Sequence, residues 1–308
     1  MSAAGGVNAR VEGRVRSRLH QLCPQFTPSG PFSCTETSII VPGRVADAGV
    51  VAKHPIDTRP FWQARARHEI TTYTVIASAG QPPVPIPRML LADPALPLIL
   101  LTMMPGTPLG PDRYPVNPLP QAHLDWLLDA TGLLHDWRDP ALSGIPADTD
   151  YAAQFQILPA DLFSSGELSA LAAEAARLTS RIGVQLEHGD AHPGNALVLP
   201  GTPLALIDLE LLAHRLPGYD LAVLWTITGP SPELRSRITA RIGPGPQRQD
   251  AFWLNVILAT GREILSHRRN APTALHRDRL ARLLNDLREG RARARQALMP
   301  GLDEGHLT

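Results

Sequence analysis

Apolar and polar positions change period along the chain, and each change predicts an element. Residues 7–22 set valines and leucines at helical spacing among charged side chains, which predicts a helix interrupted at Pro24. Residues 38–45 and 50–54 are rich in β-branched side chains and flank Ala46-Asp47-Ala48-Gly49, the pattern of strand, turn and strand. Helical spacing returns over 61–77. It ends before Gln81-Pro82-Pro83-Val84-Pro85-Ile86-Pro87, where fixed φ and missing N–H groups forbid helix. Residues 89–91 and 98–103 complete a small sheet. From 119 onward the character is helical: 119–137, 167–181, 220–228, 251–268 and 275–298 all read as helices. Within that stretch, the apolar runs 196–199 and 204–207 read as strands joined by Pro200-Gly201-Thr202-Pro203, a good hairpin signal. The pattern predicts an α+β chain in two parts, residues 1–105 with a small sheet and residues 106–308 mainly helical, divided near 105–120.

The chain is 308 residues long, enough for a substantial core, and its formal net charge is zero. That balance gives no support to a nucleic acid or a membrane surface as partner. No apolar run reaches membrane-spanning length. Cys23 and Cys34 stand in neither Cys-x-x-Cys nor metal-ligand spacing, and residues 1–6 have no apolar stretch before a cleavage-like site. A cytoplasmic protein with reduced thiols is the expectation.

The candidate chemistry lies in His188-Gly189-Asp190-Ala191-His192-Pro193-Gly194-Asn195, followed beyond the hairpin by Ile207-Asp208-Leu209-Glu210. Moving a phosphoryl group from ATP to a hydroxyl needs a carboxylate to orient and deprotonate the acceptor, and oxygen ligands to hold Mg²⁺. Asp190 suits the first role, and Asn195 and Asp208 the second. Lys53 is the only lysine, arginine having taken the other places, so it is expected where a compact ammonium is required. It lies in Gly49-Val50-Val51-Ala52-Lys53-His54, like the kinase strand whose lysine pairs with the α/β-phosphates. Glu69, on the following helix, can pair with it. A different chemistry also uses this loop: His188, Asp190 and His192 can ligate a catalytic metal, as in a hydrolase. That reading explains neither Lys53 nor Asp208. A nucleotide-binding protein that no longer transfers phosphate is a third possibility.

The ordered set resembles the aminoglycoside phosphotransferase and choline kinase family, the small-molecule branch of the protein-kinase-like fold. His188-Gly189-Asp190 with Asn195 matches its catalytic loop, Asp208 its second metal ligand, Lys53 and Glu69 its ion pair, and Asp220-Leu221-Ala222 the helix start that braces the loop. The resemblance runs from about residue 30 to 225. It implies a two-lobed fold, with a small antiparallel sheet lobe and a larger helical lobe, and ATP and Mg²⁺ as cofactors. The segment Leu101-Thr102-Met103-Met104-Pro105-Gly106 resembles the hinge that meets adenine, although Met103 and Met104 suit a core equally. The loop over the phosphates lacks G-x-G-x-x-G; the region 30–38 offers Ser33, Thr35 and Thr37 as hydroxyl donors, with Glu36 a poor neighbour for triphosphate. Glu210 has a supporting role at most, and His135, of the family's Leu-His pair, is expected to pack.

The acceptor is less defined. A polycation is best held by several carboxylates, yet the region after Asp220 is richer in arginine. Arg288, Arg291, Arg293 and Arg295 read mostly as a solvated face, and Trp225, Phe252 and Trp253 as core or a stacking surface. The expected activity is ATP-dependent phosphorylation of a hydroxyl, on a small natural product or metabolite first and a Ser/Thr peptide second.

Overall fold

The computed structural model describes residues 3–31, 33–34, 38–110, 113–115, 119–269 and 273–298. The chain opens with helix α1 (Ala3–Leu22), strands β1 (Phe26–Pro28), β2 (Ser33–Cys34), β3 (Ser38–Val45) and β4 (Ala48–Pro55), helix α2 (Pro60–Ser78) and strands β5 (Met89–Asp93), β6 (Leu98–Thr102) and β7 (Thr107–Pro108). Helices α3 (Gln121–His135), α4 (Tyr151–Gln156) and α5 (Ser165–Ile182) follow, then strands β8 (Gln185–Glu187), β9 (Ala196–Leu199), β10 (Thr202–Leu206) and β11 (Ala213–Arg215). Helices α6 (Tyr219–Ile227), α7 (Pro232–Thr239), α8 (Pro246–Arg269) and α9 (Ala274–Leu298) complete it.

Two-residue alternation builds the first unit. Its strands lie in the order β1-β3-β4-β6-β5, with β2 also on β3, and the pairings are antiparallel. Ile39, Val41, Val50, Ala52, Leu98 and Leu100 are buried with Val11, Val15 and Leu19, which recur every fourth residue of α1. Each fully buried side chain of this size contributes roughly 1.5–3 kcal/mol. Lys53 lies between Ala52 and His54 on β4, so the pleat turns it to the opposite face, where α2 brings Glu69 to it.

This unit is discontinuous, comprising residues 1–107, 137–145 and 197–212. Asp139 ties in the middle piece: one carboxylate oxygen accepts the Ala141 N–H at 2.9 Å and the other accepts the Gly80 N–H at 2.8 Å. The last piece is anchored by the Leu206 N–H, which donates to the Pro85 carbonyl at 3.0 Å. Gly106 allows a close approach there, since a Cβ on it would stand 2.7 Å from the Val198 carbonyl oxygen.

The second unit, residues 108–136, 146–196 and 213–308, is mainly helical. Leu171, Ala175 and Leu178 of α5, Leu254, Ile257 and Leu258 of α8, and Leu283 and Leu287 of α9 share one core. Every residue of α6 is buried, which explains why that segment is apolar all round. Trp225 and Phe252 are core residues at 1% and 0% exposure. Arg291 corrects the expectation of a solvated arginine face: it pairs with Glu167 at 2.8 Å and its guanidinium lies 4.2 Å from the Phe163 ring centroid. A long apolar stem and a stacking head let arginine work as packing. The side chain of Arg295 lies outside the described residues. Among the described residues no helix is long and apolar enough to cross a membrane.

Candidate active site

Strand β8 ends at Glu187, and the chain then turns through His188-Gly189-Asp190 into β9. One buried carboxylate fixes that turn. Asp220, at the start of α6, accepts the His188 N–H at 2.7 Å on one oxygen and the Gly189 N–H at 2.8 Å on the other. Gly189 has φ +81°, a conformation that glycine adopts without strain. Asp220 is in turn held by His135, whose Nε2 lies 3.0 Å from Asp220 Oδ2 and 3.0 Å from Glu187 Oε2. Glu187 completes the brace, accepting the Gly218 N–H at 2.8 Å and the Asp220 N–H at 2.9 Å. The loop is therefore preorganised by buried charge.

Asp190 projects from this fixed backbone. Its Oδ1 accepts a hydrogen bond from Arg113 Nη1, and Oδ2 accepts from Asn195 Nδ2 at 3.2 Å and lies 3.5 Å from His192 Nε2. Asn195 Nδ2 also donates to the Asp190 carbonyl at 3.1 Å. Burial alone raises a carboxyl group, but the Arg113 guanidinium and the His192 ring outweigh it and hold Asp190 well below the usual carboxylate range. The carboxylate is ionised and oriented at neutral pH.

The first unit holds a second charge cluster. Lys53 Nζ lies 2.9 Å from Glu69 Oε2, 2.6 Å from Asp208 Oδ1 and 3.0 Å from Glu210 Oε2. The expected pairing of Lys53 with Glu69 is present. Desolvation by burial disfavours the ammonium, yet Glu69, Asp208 and Glu210 together raise its pKa well above the ordinary lysine range. Three carboxylates surround this ammonium, and one of them, Glu210, also pairs with Arg65 at 3.2 Å. Glu69 is the most buried of them, and burial, opposed by Lys53 and reinforced by the other two, pushes its pKa up to about 7. Asp208 has φ +64°, a left-handed conformation uncommon outside glycine, asparagine and aspartate. Backbone strain of this kind concentrates at functional sites.

The other anticipated residues fall as follows. Ser33 is exposed on β2, its hydroxyl donating to the Ile40 carbonyl at 3.3 Å. Thr35, Glu36 and Thr37 lie outside the described residues. Met103 is 40% exposed and its N–H donates to the Gly49 carbonyl at 2.9 Å, while the Met104 carbonyl accepts the Gly106 N–H at 2.9 Å. His188 is fully buried, its Nδ1 accepting the Asp190 N–H at 3.3 Å. Among the described residues, the trios of ligand atoms close enough to share an ion are His135/Glu187/Asp220 and Glu69/Asp208/Glu210, and His188, Asp190 and His192 do not form one.

Sequence reasoning missed Arg113, Glu263, Glu187 and Arg65. Arg113 lies in the proline-rich sequence 111–120 and Glu263 on a long helix, so no local spacing connects them to Asp190. Glu187 immediately precedes the loop, on the three-residue strand Gln185-Leu186-Glu187, which is too short and too polar to mark it as buried. Arg65 sits one helical turn from Glu69 and lies 3.2 Å from Glu210.

Residues 50–252 match the model of APH, the phosphotransferase enzyme family. No curated protein matches the sequence. Among solved structures, a choline/ethanolamine kinase family protein from Mesorhizobium loti is similar at 15% identity and TM-score 0.61, covering 94% of this chain and 99% of that one. The GDP and kanamycin complex of APH(2")-IIIa aligns at 17% identity and TM-score 0.59, covering 91% and 98%. Choline kinase LicA from Streptococcus pneumoniae aligns at 12% identity and TM-score 0.55, covering 91% and 99%. Identities this low show a shared fold, the protein-kinase-like one with an antiparallel sheet in the N-terminal part. The family model spans more than half of the chain, and the chain belongs to the phosphotransferase enzyme family.

Proposed function

We propose that the chain transfers the γ-phosphoryl group of ATP, bound with Mg²⁺, to a hydroxyl group of a small molecule, with Asp190 as the base. The observation that carries this reading is the Asp190 loop, where an ionised carboxylate is oriented on a backbone clamped by Asp220 in a chain of the phosphotransferase family. Structures sharing the fold support a small-molecule acceptor: one holds GDP and kanamycin, another AMP-PNP and hygromycin B, one is named a choline kinase and one a choline/ethanolamine kinase family protein. In this reading residues 1–105 form the nucleotide lobe and 106–308 the catalytic and acceptor lobe.

Asp190 aligns the acceptor hydroxyl for in-line attack. Phosphoryl transfer proceeds through a loose transition state, so a carboxylate of low basicity can take the proton late. Lys53, fixed by Glu69, faces the α/β-phosphates. Ser33, Thr35 and Thr37 serve the phosphates, and Met103 and Met104 the adenine. Asn195 and Asp208 are the metal ligands. The residues fit a hard cation: Asn195 spends its amide N–H groups on Asp190, leaving its amide oxygen, and the Asp208 carboxylate is 36% exposed. When bound, Mg²⁺ supplies neutralisation of phosphate charge.

A screen of hydroxyl-bearing metabolites, antibiotics and Ser/Thr peptides for acceptor-dependent ADP release tests the proposal. A small-molecule hit is the expected result, a peptide hit alone moves the substrate class, and nucleotide hydrolysis indifferent to every acceptor counts against it. Nucleotide affinity, measured by calorimetry, is expected to collapse on chelation of Mg²⁺, and purified protein is expected to carry no stoichiometric zinc. Tightly bound zinc without nucleotide binding would favour the hydrolase instead.

Lys53→Arg is expected to lower turnover at least about tenfold, because a wide planar fork cannot sit among three carboxylates and also meet the phosphates. Full activity of both Lys53→Arg and Lys53→Ala would make the lysine incidental. A lysine-selective reagent reaches Lys53 and the N-terminal amine alone, and MgATP is expected to protect Lys53 from it. Equal labelling of Lys53 with and without nucleotide would place that residue away from the phosphates.

A further inference from the structure

The helical unit contains an ion-pair relay that the transfer chemistry itself does not require. Arg113 donates to Asp190 through Nη1 and to Glu263 Oε1 through Nη2 and Nε, at 2.6 and 2.9 Å. Glu263, on α8, accepts the Tyr114 hydroxyl on its other oxygen. The side chains of Arg113, Asp190 and Glu263 are 28%, 22% and 12% exposed, so a solute can reach them. Two accessible carboxylates beside a reactive hydroxyl are what an ammonium-bearing acceptor needs. Here both are already occupied by a guanidinium, which cannot be deprotonated.

The surroundings add positive rather than negative charge. Arg279 donates to the Tyr114 carbonyl at 3.3 Å and its guanidinium lies 4.7 Å from the Tyr114 ring centroid. His267 stands edge-on to Tyr114 at 4.9 Å, and its burial lowers its pKa, which keeps it neutral. Two carboxylates and two guanidiniums leave no surplus negative charge to draw a cation.

We infer that Arg113 is a specificity-determining residue, one that closes the Asp190 site to cationic acceptors and selects an oxygen-rich alcohol, a polyol or a hydroxy acid. The inference rests on the proposed function, because it takes Asp190 as the group that meets the acceptor. An ammonium arriving at Asp190 must either displace Arg113, stripping a half-buried guanidinium of its partners, or stand beside it as a like charge. An oxygen-rich acceptor meets neither obstacle. Among the described residues, three of the five N–H groups of Arg113 are engaged, and the other two can donate to hydroxyl or carboxylate oxygens.

The test is calorimetric titration with kanamycin, a polycationic alcohol, of the wild type, Arg113→Gln, Arg113→Ala, Arg113→Lys and the double variant Arg113→Gln/Glu263→Gln, each checked for native circular dichroism. The expected result is negligible binding to the wild type and to Arg113→Lys, which keeps the charge. Arg113→Gln and Arg113→Ala are expected to gain at least about tenfold in affinity, roughly 1.4 kcal/mol. Added salt should weaken that gain, and Glu263→Gln in the same chain should remove most of it. Tight kanamycin binding by the wild type overturns the inference, as does a folded Arg113→Gln or Arg113→Ala protein that gains nothing. Failure of the functional reading shows separately, as a wild type that does not bind MgATP.

Discussion

Asp190→Asn is expected to lower acceptor-dependent turnover by roughly a hundred- to ten-thousand-fold, the loss typical of removing a general base, while MgATP affinity stays close to that of the wild type. The amide preserves the volume of the carboxylate but only one acceptor oxygen. Arg113 Nη1 and Asn195 Nδ2 now point donors at the two branches of the side chain, so one branch of the new amide must present its own N–H groups to a donor. The hydroxyl loses both its proton acceptor and its alignment. Nucleotide affinity survives because Lys53 and Asp208 are untouched and Asn195 keeps its hydrogen bond to the backbone carbonyl of residue 190. Steady-state ADP release, together with nucleotide titration of the same preparation, checks both halves. Near-normal turnover by a pure, folded variant removes Asp190 from the mechanism.

The largest expected loss of stability follows replacement of His135. Desolvation by burial lowers its pKa, but the carboxylates of Glu187 and Asp220, each 3.0 Å away, more than reverse this and raise it to about 10. His135 is thus an imidazolium at neutral pH, and His135→Leu leaves two buried carboxylates without their cation. Breaking a buried charge pair in this way costs about 3–5 kcal/mol. The pH dependence has a definite sign. The folded pKa is raised, so the stabilisation from protonated His135 is complete below about pH 6.5 and fades as pH rises through 10. Burial raises the pKa of Asp220, but His135 and the backbone N–H of Gly189 overcome it and hold Asp220 below the ordinary range, so its contribution is present above about pH 4 and lost in acid. Urea unfolding should therefore show the widest gap between wild type and His135→Leu near pH 5–6, narrowing toward pH 9. A gap that widens with rising pH would falsify the charged-histidine account.

Much of this was legible in the chain because local rules governed it. The alternation of Ile39, Val41, Val50 and Ala52 gave the sheet and its buried face, and Lys53 followed from the pleat. The helices announced themselves by period, apart from α4 and α7, which span 6 and 8 residues and offer little repeat to read. Strands β8 and β11 have 3 residues each, too few for an alternation, and are set by pairing with one another. Of the residues proposed here for the chemistry, type and spacing singled out Asp190, Asn195, Asp208, Lys53 and Glu69. The relay from Glu263 through Arg113 was illegible, because its members are 150 and 77 positions apart and meet only in the folded chain. His135 was anticipated as a packed residue, and its charge became visible only with the two carboxylates in place.

The discontinuity of the first unit has a consequence for synthesis on the ribosome. Residues 1–107 emerge first, yet the segments 137–145 and 197–212 belong to the same unit, so it is complete only once residue 212 has left the exit tunnel. Until then Lys53 and Glu69 have no Asp208 or Glu210 to meet, whereas the Gly80 N–H waits only for Asp139. The strands of the main sheet are all translated by residue 102, and helices α3, α4 and α5 are made before these returning contacts are complete. A fusion or lobe exchange that cuts at Pro105 divides this unit in the same way, and a donor lobe must bring its own counterparts of both returning segments.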